Sequence, residues 1–461
     1  MNDSSSASPH LSRRDFVVRS SLIGAGLLTG IPRIFGAAGP APAVPPSEEI
    51  NVALVGLGAE GRILMESMLN IPGLRFRAIC DIWKYSQTYG LNKLKKARPD
   101  QTVNVYTDIH EMLATEKDLD AAVIATPDFW HSPHTVACLN AGLNVYCEKM
   151  MSNTVEGARA MVKAMQSSGK LLQIGHQRRS NPRYRFVYDQ LIKKNGLIGK
   201  LTGITGQWNR AVSDDLNWPK SYTIPEETLQ KYGYKDMHQF RNWRWFKDLS
   251  GGMISDLGAH QIDIFNWFTG KRPYSVMAVG GIDYYKTHEH YDNVMALYEY
   301  DMGGYSARAF YQVQTTTSSG GGFFETFMGD EGTIVISENP AHTKIFREDR
   351  VTAMETRDAL WKKLESDGLL RPMAAPAAAP KEAGVVDVRE SKAAAIFELP
   401  IVLKKPIHQP HLENFFDAVR GKAKLNCDGL EAFESEVPIY QVNPTVGAET
   451  KVFFKEADFH V

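Results

Sequence analysis

Apolar and polar positions follow two different rhythms along this chain. Up to about residue 177, apolar runs alternate with helically spaced segments. The runs at Val52–Val55, Phe76–Cys80, Ala121–Ala125, Asn144–Cys147 and Leu171–Gln177 predict strands, with a shorter one at Val103–Tyr106. Between them, Arg62–Asn70, Lys84–Ala97, Ser132–Ala141 and Thr154–Ser168 carry helical spacing. Uninterrupted apolar strands between helices predict a parallel sheet covered on both faces. After residue 178 the rhythm changes. A helix at Arg183–Lys194 stops at Gly196, a strand spans Leu201–Asn209, and a long aromatic loop carries Trp218, Trp243 and Trp245. A helix over Gly252–Phe268 precedes strands at Ser275–Ile282, Asn293–Tyr300, Tyr305–Gln314, Phe323–Met328 and Thr333–Ser337. Gly-rich turns between these strands predict consecutive antiparallel hairpins. Residues 352–398 hold a Pro/Ala run and read as a surface insertion, partly flexible. His411–Arg420 reads as an amphipathic helix closed by Gly421.

The first strand gives the pattern its chemistry. It enters Gly56-Leu57-Gly58-Ala59-Glu60-Gly61, a helix follows, and the second strand ends at Asp81. Strand, glycine turn, helix and an acid about 20 residues on form the dinucleotide-binding context. Gly56 serves the tight turn, Gly58 lets the backbone approach a pyrophosphate, and Gly61 lets helix and strand pack. The phosphates would lie at the positive end of the helix. Asp81 suits the ribose hydroxyls of NAD and would repel the 2′-phosphate of NADP. The expected fold class is therefore α/β. An N-terminal Rossmann doubly wound parallel sheet spans residues 47–177, and a C-terminal α/β domain with an open, mainly antiparallel sheet spans 178–461.

Composition changes the picture at the N-terminus. Ser12-Arg13-Arg14-Asp15-Phe16 precedes an apolar Gly-rich stretch and then Ala41-Pro42-Ala43. This order predicts a twin-arginine export signal over residues 1–46, linker included. The expectation is a periplasmic or secreted protein that meets the Tat translocase during export. The apolar run is too short for stable membrane insertion. Such export moves folded proteins, so the cofactor is expected to be loaded early and held tightly. Net charge is −1 over 461 residues, which gives no sign of a nucleic-acid partner. The four cysteines, Cys80, Cys138, Cys147 and Cys427, lack disulfide-scaffold or zinc spacing. His131-x-x-His134 and His288-x-His290 lack the further ligands of a metal site, and none is expected.

Two further segments carry candidate chemistry. Glu148-Lys149 ends a strand at the cofactor side, where ligands of open α/β sheets bind. Lys149 there can stabilise negative charge developing on a substrate oxygen; the alternative is a surface lysine paired with Glu148. In Gly251–Asp263, helical spacing puts Asp256, His260 and Asp263 on one face. A carboxylate beside an imidazole suits a general base; it also suits a histidine satisfied within a packing face.

The glycine turn, Ala125-Thr126-Pro127, Glu148-Lys149 and the Gly-Gly…Asp-x-x-x-His helix together resemble the Gfo/Idh/MocA oxidoreductases, which include glucose-fructose oxidoreductase and inositol dehydrogenase. The resemblance covers about residues 48–340. It implies that Lys149, Asp256 and His260 line the catalytic site, and that Thr126, Pro127, His131 and Glu148 lie by the cofactor. The loop with Gln177 and Arg178 would border cofactor and substrate. Arg178, Trp208, Arg244 and Asp263 are candidate substrate contacts. The family usually has proline after Glu-Lys, where this chain has Met150, which leaves the aim of Lys149 unforced. The implied function is oxidation or reduction of a sugar or glycoside hydroxyl, giving in one version a keto-glycoside, by a homo-oligomer assembled through the C-terminal sheet. Alternatives are a redox-neutral NAD-dependent glycoside-cleaving enzyme and a non-catalytic sugar-binding relative.

Overall fold

A computed structural model describes residue 45 and residues 48–374 and 393–461. The twin-arginine segment lies outside the described residues, as does the Pro/Ala run from residue 375 onward. The first part of the chain forms strands β1 (Ile50–Val55), β2 (Leu74–Cys80), β3 (Asn104–Tyr106), β4 (Ala121–Ile124), β5 (Asn144–Cys147) and β6 (Leu172–Ile174). They pair in parallel in the order β3-β2-β1-β4-β5-β6. The order reverses between β1 and β4, and that reversal opens the crevice where such sheets bind ligands. Helices α1 (Ala59–Met68), α2 (Lys84–Ala97), α3 (Ile109–Thr115), α4 (Asp128–Asn140) and α5 (Val155–Ser168) are the crossovers. The signals that bound α5 are local. Thr154 accepts the Gly157 N–H at 3.1 Å, and Gly169 ends the helix at φ +67°.

A helix over α6 (Pro182–Phe186), continued by a wide π-helical stretch (Val187–Lys194), leads into the second sheet. Its strands include β7 (Leu201–Asn209), β8 (Ser275–Gly281), β9 (Asn293–Asp301), β10 (Ser306–Gln314), β11 (Phe323–Gly329), β12 (Gly332–Ile336) and β13 (Lys344–Arg347). Helix α7 (Ala259–Thr269) packs on this sheet, with Phe265 fully buried close to Gly206, where an added Cβ would lie 2.7 Å from the ring. The sheet is mainly antiparallel, but β10 and β11 are not neighbours. β7 lies between them, parallel to β10 and antiparallel to β11. The run of consecutive hairpins is therefore interrupted, because a strand from before the aromatic loop supplies the edge that both need.

Two more readings are corrected by packing. Much of the presumed insertion is built structure: α8 (Glu355–Ser366) buries Trp361, and the strand Ala395–Glu398 pairs with β13. The Pro/Ala composition masked these anchors. The tail also does not stay with the second sheet. Helices α9 (Gln409–Val419) and α10 (Gly429–Tyr440) return to the first sheet. Leu412, Phe415 and Phe416 join one of its cores, and Ala432, Phe433 and Val437 join the other. Burying several such side chains, at about 1.5–3 kcal/mol each, outweighs sequence proximity in deciding where the tail docks.

Candidate active site

The glycine turn has the shape its spacing implies. Gly56 sits at φ +87°, and a Cβ there would lie 2.6 Å from the Ala125 carbonyl oxygen. A Cβ on Gly61 would lie 2.0 Å from the Gly56 oxygen. Gly58 differs: nothing lies within 4 Å of an added Cβ. The first and third glycines thus serve backbone packing, and the second leaves an open cradle at the start of α1. Its first residues, Ala59 and Glu60, present N–H groups that no earlier turn can satisfy. Thr126 and Pro127 line the other side, partly exposed after β4. Asp81 already accepts the N–H groups of Leu57 and Trp83, both at 2.7 Å. A carboxylate has further acceptor positions, so ribose hydroxyls remain possible donors. Burial raises Asp81 to about 6, against the pull of those backbone donors and of Arg62 and Arg241. The residues present therefore fit a dinucleotide.

Lys149 and Asp256 come together, though not through a simple ion pair. Lys149 Nζ donates to the Asp256 carbonyl at 2.6 Å and lies 3.5 Å from its Oδ1. Arg244 Nε is 3.1 Å from the same Oδ1. Burial alone would raise Asp256, but Arg244, Lys149 and Arg210 together hold it well below the usual carboxylate range. The Lys149–Met150 peptide bond is cis, with methionine in the family's proline position.

The expected carboxylate–imidazole pair does not form. Asp256 lies in a π-helical turn (Ile254–Gly258), which widens the spiral ahead of His260 on α7. Its carboxylate faces the two cations, which outcompete a neutral ring. His260 Nδ1 is buried without a hydrogen-bond partner. Burial first, then Lys149 and Arg178, hold the His260 imidazole neutral, far below its ordinary pKa. Trp208 stands beside it, ring centroids 5.6 Å apart.

Two candidate substrate contacts are engaged inside the protein instead. Arg178 is 1 % exposed and ion-paired with Glu325 and, at 3.1 Å, with Glu338. Its buried charge is held between Glu325 on β11 and Glu338 just past β12, with one terminal nitrogen left unpartnered. Asp263 is fully buried and accepts from Arg179 at 2.7, 3.0 and 3.1 Å and from Ser435 at 2.7 Å. Gln177 is buried and reaches Glu338 at 3.3 Å. Of the aromatic loop, Trp243 packs under the Arg244 guanidinium at 4.3 Å, while Trp245 is stacked on His288 at 4.0 Å. His131 Nδ1 is 2.6 Å from the Met150 carbonyl, and burial lowers it to about 4. Glu148 takes the Tyr146 hydroxyl at 3.1 Å and the Lys149 N–H at 3.3 Å. Burial, then Glu60, push it up to about 8. Among the described residues, no three His, Cys, Asp or Glu are grouped to hold a metal ion, and no helix is long and apolar enough to cross a membrane.

Comparison with known proteins gives the family and the fold. The family described as "Oxidoreductase family, NAD-binding Rossmann fold" matches residues 50–176, and "GFO/IDH/MocA C-terminal domain" matches 190–335. The chain belongs to the Gfo/Idh/MocA oxidoreductase family. It is 28% identical over 174 residues to 4-carboxy-2-hydroxymuconate-6-semialdehyde dehydrogenase of Sphingobium sp., covering 38% of this chain and 53% of that one. It is 27% identical over 202 residues to inositol 2-dehydrogenase of Rubrobacter xylanophilus, covering 43% and 53%. The chain thus spans about half the length of these curated relatives. The WlbA dehydrogenase from Bordetella pertussis, solved in complex with NADH and UDP-GlcNAcA, superposes with a TM-score of 0.60 at 18% identity. That match covers 88% of this chain and 99% of that one, and it is a likeness of fold.

Within this Gfo/Idh/MocA chain, residues that sequence reading passed over also face the site. Asp128, at the start of α4, is 5% exposed. Burial pushes it up to about 7, with Lys149 pulling it down and Asp256 pushing it up. Its place directly after Thr126-Pro127 was a signal in plain view. Arg210, just past β7, and His408, 3.2 Å from Glu60, had no such signal. Both arrive from distant parts of the chain.

Proposed function

We propose that this chain is an exported NAD-dependent oxidoreductase acting on a hydroxyl of a sugar or glycoside, with its cofactor held tightly and recycled in place. The observation that carries this reading is the convergence of Lys149, Asp256 and Arg244 beside a neutral His260, next to the Gly58 cradle. The cradle, the start of α1, Asp81 and Thr126-Pro127 would hold NAD, which when bound supplies hydride exchange with the substrate carbon. Lys149 donates a hydrogen bond to the substrate oxygen and stabilises charge as it develops. His260, neutral, takes the hydroxyl proton. Asp256 acts on Lys149, to which it is bonded, and Trp208 offers an aromatic wall. Oxidation to a keto-glycoside is the narrower form. Oligomerisation through the second sheet is supported by facing apolar pairs on its open side: Met277 opposite Leu297, and Val279 opposite Met295. Val279 is 64% exposed. The test is to denature the purified protein, identify released nucleotide by mass spectrometry, and follow nicotinamide absorbance with a glycoside panel. Absence of any nicotinamide nucleotide, with no uptake of added NAD, sinks the reading.

One observation favours a second reading. Burial pushes the Asp128 carboxyl up to about 7, which suits a general acid. That group suits redox-neutral glycoside cleavage, in which the nicotinamide is restored each cycle. Product analysis separates the two: a lasting keto-sugar, or a cleaved and fully reduced one.

A further inference from the structure

The loop carrying Lys149 is gripped by residues from elsewhere in the chain. The Met150 carbonyl accepts from His131 Nδ1 at 2.6 Å. The N–H of the same peptide unit, on Met151, donates to Glu436 Oε2 at 2.8 Å. One residue on, the Ser152 N–H donates to the Tyr440 hydroxyl at 3.3 Å, and the Ser152 carbonyl accepts from that hydroxyl at 3.0 Å. Tyr440 also lies 3.1 Å from Glu436 Oε2, and the other Glu436 oxygen is 3.0 Å from His176 Nε2. Glu436, His176 and Met151 are buried to within 1%. Glu436 and Tyr440 stand at i and i+4 on α10, so one helix face delivers both.

This arrangement is dense for one short loop. The Met150 carbonyl, the Met151 N–H and both the N–H and the carbonyl of Ser152 have partners, and none of those partners is a secondary-structure ladder. Bonds to a fully buried carboxyl group hold their geometry well, because the acceptor cannot turn to water. Immediately upstream, the Lys149 ammonium is aimed at the Asp256 carbonyl. Freeing the following peptide units would let the Lys149 backbone turn, and its long side chain would amplify that turn at Nζ.

We propose that Glu436 and Tyr440, on the tail helix, are positioning residues for Lys149: they fix the loop behind it so that its ammonium points into the cleft. This rests on the reading of Lys149 as the group that meets the substrate oxygen. The test uses the full-length protein with Tyr440→Phe, Glu436→Gln and Glu436→Ala. Two quantities are read: kcat and KM on the substrate the glycoside panel selects, and the rate at which Lys149 is acetylated by an N-hydroxysuccinimide ester, mapped by peptide mass spectrometry against the exposed Lys362. A misaimed catalytic group costs up to about a hundredfold in rate. Tyr440→Phe is expected to lower kcat about tenfold with KM and bound nucleotide unchanged, and to speed Lys149 acetylation at least threefold. Glu436→Ala is expected to do more, and Glu436→Gln less, since an amide oxygen still accepts the Met151 N–H. Acetylation within twofold of the parent in folded Tyr440→Phe and Glu436→Ala proteins overturns the proposal, as does a Glu436→Gln protein no better than Glu436→Ala. If Glu436→Ala does not fold, Tyr440→Phe, which removes a single oxygen atom, decides alone. Faster acetylation with unchanged kcat leaves the positioning role standing and removes Lys149 from the chemistry.

Discussion

The cofactor cradle and the Lys149–His260 side of the cleft sit close together and are built on opposite principles. The cradle is backbone. Its shape follows from three glycines in one turn, and each can be explained from its immediate neighbours. The other side is made of charged and polar side chains drawn from four separate stretches: Lys149 after β5, Arg244 from the aromatic loop, Asp256 and His260 around the start of α7, and Glu436 from the tail. A site of the first kind is specified locally. A site of the second kind is settled by competition, and Asp256 illustrates it: the acid goes to two cations in preference to the histidine four residues on.

Each prediction sets one half against the other. The largest effect is expected from Lys149→Met. By analogy with loss of a single oxyanion donor, kcat should fall on the order of a hundredfold to a thousandfold. Retained nucleotide, measured by mass spectrometry of the denatured protein, should be unchanged. Equal loss of nucleotide would mean that the two halves are not separable.

Next comes Arg178→Met, which leaves Glu325 buried without its cation. Breaking a buried pair this way destabilises by about 3–5 kcal/mol. Urea unfolding should show that loss, while KM for the sugar stays put in whatever folded protein remains. A rise in KM would return Arg178 to the substrate.

The glycines give a sharper contrast of moderate size. Gly58→Ala meets no atom, so melting temperature should hold while NAD affinity drops about tenfold, or about 1.4 kcal/mol. Gly61→Ala meets the Gly56 oxygen and should lower melting temperature with or without nucleotide.

The smallest effect is a slope. Glu148, raised to about 8 from an ordinary 4.5, keeps in the folded state a proton that the unfolded chain has lost. Native protein then binds more protons between those values, so its contribution lowers stability as pH rises from 4.5 toward 8. Glu148→Gln in nucleotide-free protein should flatten this part of the stability profile. His131, lowered to about 4 by burial, works the other way: stability is lost as pH falls from 6.5 toward 4. The acid limb should therefore survive the Glu148 change.

Much of the fold was legible. Lys84–Ala97, Asn144–Cys147 and Leu201–Asn209 were read from periodicity with the bounds they have in the structure, because strand and helix period are properties of neighbouring residues. The tail was not. Nothing local in Gly429–Tyr440 says that Phe433 and Val437 will enter the first sheet's core, or that Glu436 will meet Met151. The same holds for Arg178, whose loop suggested a free cation before Glu325 and Glu338 closed on it.

By itself, then, the sequence determined the parallel sheet, the glycine cradle, the acid at Asp81 and the presence of a lysine at a strand mouth. These depend on backbone conformation and on spacing within one βαβ unit. Only the tertiary structure decided which carboxylate answers which cation, and which helix holds the lysine loop. Charge pairing inside a protein is governed by burial and distance, and both are set here by contacts between residues more than a hundred positions apart.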